Sequence, residues 1–154
     1  MWWHKAIATV LGLGYAPKAP GTFGALGAVL FLFAFLFLNI PLPEIYLIPF
    51  IIITTLIGTY STHKVMIEWD EEDPQRVVID EFVGCLIAIL FLPHTWYHIA
   101  IAFGLFRFFD ILKPLGVRTL DTKIKGAWGV MLDDVLAGIY ACLTLHLIHN
   151  FFLT

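Results

Sequence analysis

The sequence predicts an all-α integral membrane protein, a single-domain bundle over residues 1–154 with about five membrane-spanning helices. Hydrophobic residues make up 60% of the 154 residues and charged residues only 14%, whereas soluble domains are about 45–50% apolar and about 25% charged. Long apolar runs recur along the chain and are separated by short polar segments. All Lys and Arg residues fall on one side of the membrane if the chain crosses five times, which predicts a cytoplasmic N-terminus.

The first two spans are predicted from continuous apolar runs. Residues 23–40 are long enough as a helix to cross the hydrocarbon core of roughly 30 Å. Residues 45–61 form the second span, in which Pro49 is expected to kink a helix that still crosses. Residues 63–75 are polar and acidic and are therefore predicted to form a loop.

The third span, residues 79–92, is short because Pro93 interrupts the apolar run before it resumes at residues 96–112. Its length fits a short crossing or a re-entrant segment. Positive charge favours a crossing, because a single span between residues 79 and 112 would move the cations that follow to the opposite face. Residues 130–152 are the last predicted span and leave the C-terminus outside the cell.

Composition also excludes some classes of function. The formal net charge of −3 and the absence of a basic run argue against a nucleic-acid partner. Cys85 and Cys142 lie in apolar runs and are interpreted as buried small hydrophobic residues. Trp2, Trp3 and Lys5 resemble an interfacial membrane anchor more than a cleaved signal peptide. The sequence leaves the oligomeric state open.

Five carboxylates fall at the inner ends of the predicted spans, whereas Glu44 is the one acidic residue expected on the outer side. A carboxylate costs up to about 2.5–3.5 kcal/mol at the centre of a bilayer, so five at one depth require a counter-charge. These five are predicted to be both the catalytic residues and the metal ligands: Asp80, Glu81, Asp110, Asp133 and Asp134.

Helix capping is the simpler interpretation of this acidic cluster. A carboxylate near a helix N-terminus gains about 0.3–1 kcal/mol from the helix dipole, which could account for the Asp80–Glu81 pair or the Asp133–Asp134 pair. It does not account for Asp110, which is expected near a helix C-terminus. A divalent cation accounts for all five, and Mg²⁺ prefers carboxylates, waters and phosphate oxygens as ligands.

Two basic residues are predicted to accompany the acids. Arg107 and Lys113 are each three residues from Asp110, so all three side chains can share a helix face. They could form plain intrahelical ion pairs or, beside a metal, bind the oxygens of a phosphate group.

A glycine-rich turn at residues 20–24 opens the first span. Gly21 and Gly24 would let backbone N–H groups approach a ligand, and Thr22 could cap the helix or donate its hydroxyl. Thr22 and Gly24 are therefore predicted to bind substrate together with Arg107 and Lys113.

In their order along the chain, these motifs resemble the phosphatidylglycerophosphatase A family. The match comprises four blocks: PGTFG at 20–24, IDEFVG at 79–84, FRFFDILKP at 106–114 and GVMLDDVLAG at 129–138. Asp73 and Pro74 before the second block also fit, as do Arg118 and Asp121 after the third. Arg118 is expected to bind substrate. Two positions depart from the pattern, because Ala25 stands where serine is frequent and Gly116 where a second proline often follows.

The resemblance implies a magnesium-dependent enzyme of the bacterial inner membrane with several membrane-spanning helices. Such an enzyme removes the terminal phosphate of phosphatidylglycerophosphate, a substrate presented by the surrounding membrane lipid, and leaves phosphatidylglycerol. Attack by water and a covalent aspartyl-phosphate are both compatible with carboxylates at the site.

Transport is the main alternative, since intramembrane acids also mark proton or cation pathways. A cation- or proton-coupled transporter would need polar groups through the membrane, but the outer halves of the predicted spans are mostly Leu, Ile, Phe and Ala. A non-enzymatic membrane subunit is a third alternative, but it would leave the acidic cluster unexplained.

Overall fold

The computed structural model describes residues 1–113 and 124–154, and over those residues the chain is helical with no strand. A 3₁₀ turn at Leu13–Tyr15 follows the first helix, and a π-helical turn at His149–Leu153 extends the last. The described helices are α1 Trp2–Ala8, α2 Pro20–Phe37, α3 Glu44–Trp69, α4 Ile79–Ile87, α5 Trp96–Leu112 and α6 Gly126–Ile148.

Within residues 1–113 and 124–154, three segments are long and apolar enough to cross a membrane, judged by length and composition. They are Pro20–Phe37, Glu44–Trp69 and Gly126–Leu153. α5 has 17 residues, which at about 1.5 Å per residue is close to the usual minimum for a span.

The helices from α2 to α6 alternate in direction. At one end of the bundle, Gly24 in α2 packs against Val78, which immediately precedes α4. At the other end, the backbone N–H of Phe91 donates to Glu44 Oε1 at 3.0 Å. Residues 79–91, which comprise α4 and the turns after it, therefore extend from one end of the bundle to the other. The first end holds the start of α2 and the second holds the start of α3. We call the end of the bundle that holds the starts of α2, α4 and α6 the acidic end.

The short helix α4 forms the centre of the bundle. Every residue of α4 except Glu81 is buried, and the helix contacts α2, α3, α5 and α6. α4 and α6 approach at two glycines, because a Cβ at Gly138 would lie 2.4 Å from the carbonyl oxygen of Gly84. Small residues permit such close backbone contact between membrane helices.

Helix α1 packs along the acidic end of α3, an arrangement that the sequence did not predict. His4 Nδ1 lies 3.2 Å from Ser61 Oγ in a buried contact, and Lys5 Nζ lies 2.6 Å from Glu68 Oε1. The backbone N–H of Val78 donates to the carbonyl oxygen of Ala8 at 2.8 Å. α1 therefore supports the segment that leads into α4, while Trp2 remains 80% exposed.

Several predicted boundaries were wrong. α3 continues to Trp69, so the first half of the segment predicted as a loop at residues 63–75 is helical. Contact with α1 stabilises this extension, in which Val65 is fully buried. α6 begins at Gly126 instead of residue 130, and α4 ends at Ile87, with turns up to residue 92.

Candidate metal and phosphate site

A cavity of about 800 Å³ opens at the acidic end, between residues of α2, α3, α4, α5 and α6 and the segment 72–77. All five acids predicted to bind metal line this cavity, as do Arg107 and Lys113. The fold thus brings together seven of the side chains that the sequence singled out.

The glycine contact between α4 and α6 explains how two of the acids meet. Asp80 lies four residues before Gly84, and Asp134 lies four residues before Gly138. Residues four apart share a face of an α-helix, so each carboxylate lies one turn from the point where the backbones touch. Both residues are deeply buried, with Asp80 6% exposed and Asp134 3% exposed.

The carboxylates form two overlapping groups. Asp80, Asp133 and Asp134 each place one oxygen within 4.8 Å of the others, which we call the first group. Glu81, Asp110 and Asp134 do the same and form the second group. Asp134 therefore belongs to both groups.

Three of these residues have buried oxygens without a hydrogen-bond partner in the part of the chain that the structure describes: Asp80 Oδ1, Glu81 Oε2 and Asp134 Oδ2. A buried carboxylate oxygen without a partner is costly, and a pair or cluster of like charges is more so. Hard oxygen donors in this number and proximity fit a hard divalent cation such as Mg²⁺.

Helix capping does not account for the cluster. Asp133 and Asp134 are the eighth and ninth residues of α6, and the first turn of that helix has no acidic residue. The effect of the helix dipole falls off within the first turn. Asp110 lies in the last turn of α5, where an anion is disfavoured. Only Asp80 and Glu81 lie in a first turn, that of α4.

Each group of carboxylates is accompanied by one basic side chain. Lys113 Nζ lies 3.3 Å from Asp133 Oδ2 in the first group. Arg107 Nη1 forms an ion pair with Asp110 Oδ2 in the second group. Lys113 follows α5 directly with a left-handed φ of 47°, so the chain turns at this residue beside the cavity.

The glycine-rich start of α2 contributes in a different way from that predicted. A Cβ at Gly21 would lie 2.7 Å from Glu81 Oε1, so the absence of a side chain makes room for that carboxylate. The helix begins at Pro20 after Ala19, so Thr22 lies inside the first turn and does not cap it. Gly24 packs against Val78, and neither Thr22 nor Gly24 is among the residues found to line the cavity. Their role in substrate binding stays a prediction.

Arg118 lies outside the described residues, so its predicted role in substrate binding also stays a prediction. Sequence reasoning in turn assigned no site role to four polar residues that line the cavity, of which only Asp73 was part of the resemblance to the family: Glu72, Asp73, Gln75 and Lys125. The first three belong to the polar segment that was interpreted as a plain loop. Their position in the sequence, between α3 and the first acids of α4, could have indicated that they lie near the site.

Comparison with known proteins identifies a matching family model and several similar proteins. The family model described as Phosphatidylglycerophosphatase A matches residues 6–149. Phosphatidylglycerophosphatase A of Haemophilus influenzae is 39% identical over 149 residues, covering 96% of this chain and 89% of the relative. The protein of the same name from Escherichia coli is 33% identical over 147 residues, covering 95% and 83%.

A Bacteroides thetaiotaomicron protein, named provisionally a phosphatidylinositol-3-phosphatase, is 46% identical over 143 residues, covering 88% of this chain and 86% of the relative. No solved structure gives a significant match.

Proposed function

The chain belongs to the phosphatidylglycerophosphatase A family, and we propose that it removes the terminal phosphate of phosphatidylglycerophosphate in a magnesium-dependent reaction that leaves phosphatidylglycerol. The observation that carries the proposal is the convergence of five carboxylates with two basic side chains in one cavity. We propose further that the whole chain is one phosphatase domain of the bacterial inner membrane, with the cavity at the cytoplasmic face.

The distribution of charge supports this orientation. Every Lys and Arg residue that the structure describes lies at or near the acidic end: Lys5, Lys18, Lys64, Arg76, Arg107, Lys113 and Lys125. Positively charged residues flanking membrane spans are enriched on the cytoplasmic side. Together with the alternating directions of α2 to α6, this supports five crossings with a cytoplasmic N-terminus and an external C-terminus.

The depth of the site suits a lipid substrate. The acids lie at the ends of apolar helices, where the head group of a phospholipid of the inner leaflet would lie while its acyl chains remain in the bilayer. A lipid phosphate could therefore reach the cavity sideways, without leaving the membrane.

Phosphoryl transfer mainly requires positioning and neutralisation of charge. The five carboxylates would hold the cation. One of them would accept the proton of the water that attacks phosphorus and pass it to the leaving oxygen of phosphatidylglycerol as its bond to phosphorus breaks. Arg107 and Lys113 would bind the non-bridging oxygens of the phosphate. When bound, a magnesium ion supplies Lewis acidity that neutralises phosphate oxygens and lowers the pKa of the attacking water.

A covalent aspartyl-phosphate is the competing route. Quenching the reaction in acid after mixing the enzyme with substrate carrying a labelled terminal phosphate distinguishes the two. Label bound to protein would support the covalent route, and its absence would support direct attack by water.

The transport alternative has less support in the described residues. Beyond the acids, the buried part of α4 and the turn after it are apolar, including Val83, Leu86 and Ile89. A cation or proton pathway would need polar groups along this path. The closed apolar centre favours an enzyme whose chemistry is confined to one end.

The test is an assay of phosphate release by the purified protein in detergent. We expect phosphatidylglycerophosphate to be hydrolysed with Mg²⁺, activity to disappear on complete chelation, and activity to return when Mg²⁺ is restored. Activity that survives chelation would refute the magnesium dependence. Phosphatidylinositol-3-phosphate and phosphatidic acid should be compared, and a higher kcat/KM for either would refute the substrate assignment.

A further inference from the structure

We propose that the site binds two divalent cations and that Asp134 bridges them. This inference rests on the proposed metal-dependent function and specifies how this chain's carboxylates are divided between the ions. In this arrangement, Asp80 and Asp133 hold one cation, Glu81 and Asp110 hold the other, and Asp134 contacts both.

The overlap of the two carboxylate groups is the first support. The first and second groups each have oxygens within 4.8 Å of one another, and they share Asp134. A carboxylate has two oxygens, so one residue can offer a ligand to each of two cations. Two-metal phosphatase sites hold their ions about 3.5–4 Å apart, a separation that a shared carboxylate can bridge.

The buried oxygens without partners are an independent support. Asp80 Oδ1 belongs to a residue of the first group, Glu81 Oε2 to a residue of the second, and Asp134 Oδ2 to the shared residue. Asp80 and Asp134 are more than nine-tenths buried, so water cannot readily supply the missing partners. Each group therefore contains a buried carboxylate oxygen that needs a partner. One cation bound at either group would leave the oxygen of the other group without one.

Charge balance points to the same number of ions. The five carboxylates of the two groups and their basic neighbours, Arg107 and Lys113, carry a formal charge of −3. One divalent cation would leave −1, which repels a phosphate monoester that is itself close to dianionic at pH 7. Two divalent cations bring this charge to +1 and make binding of the substrate phosphate favourable.

The basic side chains fit the same division. Lys113 contacts Asp133 in the first group, and Arg107 contacts Asp110 in the second. Each proposed cation therefore has one basic neighbour, and a phosphate placed between the groups would meet positive charge from both sides.

The test counts bound ions directly, with Mn²⁺ as the probe and the full-length protein in detergent. Electron paramagnetic resonance reports the concentration of free Mn²⁺ and also reveals whether two bound ions are magnetically coupled. We expect the wild-type protein to bind two Mn²⁺ ions per chain and to show coupling.

Variants separate the two positions. Asp80→Asn and Asp110→Asn should each retain one ion and lose the coupling, because each removes a ligand of only one group. Asp134→Asn should retain less than one ion at the Mn²⁺ concentration that saturates the wild type. Glu44→Gln, at the opposite end of the bundle, is the matched control and should bind two coupled ions.

Saturation of the wild type at one ion, or a coupled pair in Asp134→Asn, would overturn the proposal. Complete loss of binding in both Asp80→Asn and Asp110→Asn would also overturn it, since it would indicate a single shared site. Circular dichroism of each variant separates loss of a ligand from loss of the fold.

The outcome is distinct from that of the proposed function. Hydrolysis of phosphatidylglycerophosphate with one bound ion would refute the two-ion site and leave the function intact. Two bound ions without phosphate release from any lipid phosphate would refute the function and leave the site intact.

Discussion

Gly21 at the start of α2 leaves room for the carboxylate of Glu81 in α4, since a Cβ at Gly21 would come within 2.7 Å of Glu81 Oε1. The same Cβ would lie 3.2 Å from Arg107 Nη1. A glycine at this position allows an acid of the second group and its basic neighbour to approach the start of α2. The first block of the family motif therefore shapes the site by leaving space.

Gly21→Ala should reduce activity more than stability. The atoms that the new methyl group meets are the ends of flexible side chains, which can move at little cost to folding but only by displacing Glu81 and Arg107. A displacement of about 1 Å can cost roughly 100-fold in rate, so we expect kcat/KM to fall by about 10- to 100-fold. Steady-state phosphate release and thermal unfolding measure the two effects.

Gly104→Ala is the control for this substitution, because a Cβ at Gly104 in α5 meets nothing within 4 Å. Its activity should equal that of the wild type. A Gly21→Ala enzyme with unchanged kcat/KM would show that the contact with Glu81 has no catalytic importance.

Gly138→Ala, in contrast to Gly21→Ala, should reduce the stability of the fold. The added methyl group would lie 2.4 Å from the carbonyl oxygen of Gly84, a backbone atom of the central helix that cannot swing aside. Overpacking of this kind typically costs about 1–3 kcal/mol. Thermal unfolding in detergent should show a clear decrease in Tm relative to Gly104→Ala, and an unchanged Tm would contradict the close packing of α4 against α6.

Asp134→Asn and Asp80→Asn should abolish most activity without weakening the metal-free protein. Loss of a group that stabilises charge in the transition state typically costs about 100- to 1,000-fold in kcat. Both side chains are buried beside other carboxylates, so neutralising either relieves charge repulsion. In the presence of a chelator we therefore expect a Tm equal to or above that of the wild type.

Glu44→Gln is the matched control for these acids, because Glu44 accepts a hydrogen bond from the Phe91 backbone N–H at the opposite end and glutamine can still accept it. Its activity should be unchanged. A marked decrease in Tm for both aspartate variants in chelator would show that these carboxylates stabilise the fold by contacts other than a cation.

Arg107 should bind the substrate phosphate through the geometry of its guanidinium as well as its charge. Arg107→Ala removes charge-assisted hydrogen bonds worth about 1.5–3 kcal/mol each, so we expect kcat/KM to fall by about 10- to 100-fold. Arg107→Lys keeps the charge but loses the planar fork and should recover only part of the activity. Full recovery with lysine would indicate that charge alone matters at this position.

The topology can be tested by labelling single cysteines in intact spheroplasts, in a Cys142→Ala background in which the remaining Cys85 is buried. Trp96, at the start of α5, is 67% exposed, and Trp96→Cys should react with a membrane-impermeant maleimide added from outside. Lys125→Cys, beside the cavity, should react only after the membrane is permeabilised. Protection of residue 96 from outside would contradict a crossing by residues 79–92.

Hydropathy was sufficient to locate the long helices. The fourth predicted span coincides with α5, and the first overlaps most of α2, because continuous apolar sequence has few alternatives to a helix in lipid. The ends of α3 and α6 were misplaced, since polar residues can continue a helix wherever a neighbour such as α1 covers them. Hydropathy does not report such contacts.

By itself, the sequence singled out the acids that meet in the cavity, because carboxylates within apolar runs are costly in a membrane. It could not determine how those acids are grouped. The sharing of Asp134 between two sets of carboxylates depends on the contact of Gly84 with Gly138, and the role of Gly21 depends on the position of Glu81. These are distances between residues far apart in the chain, and they are fixed only when the helices pack.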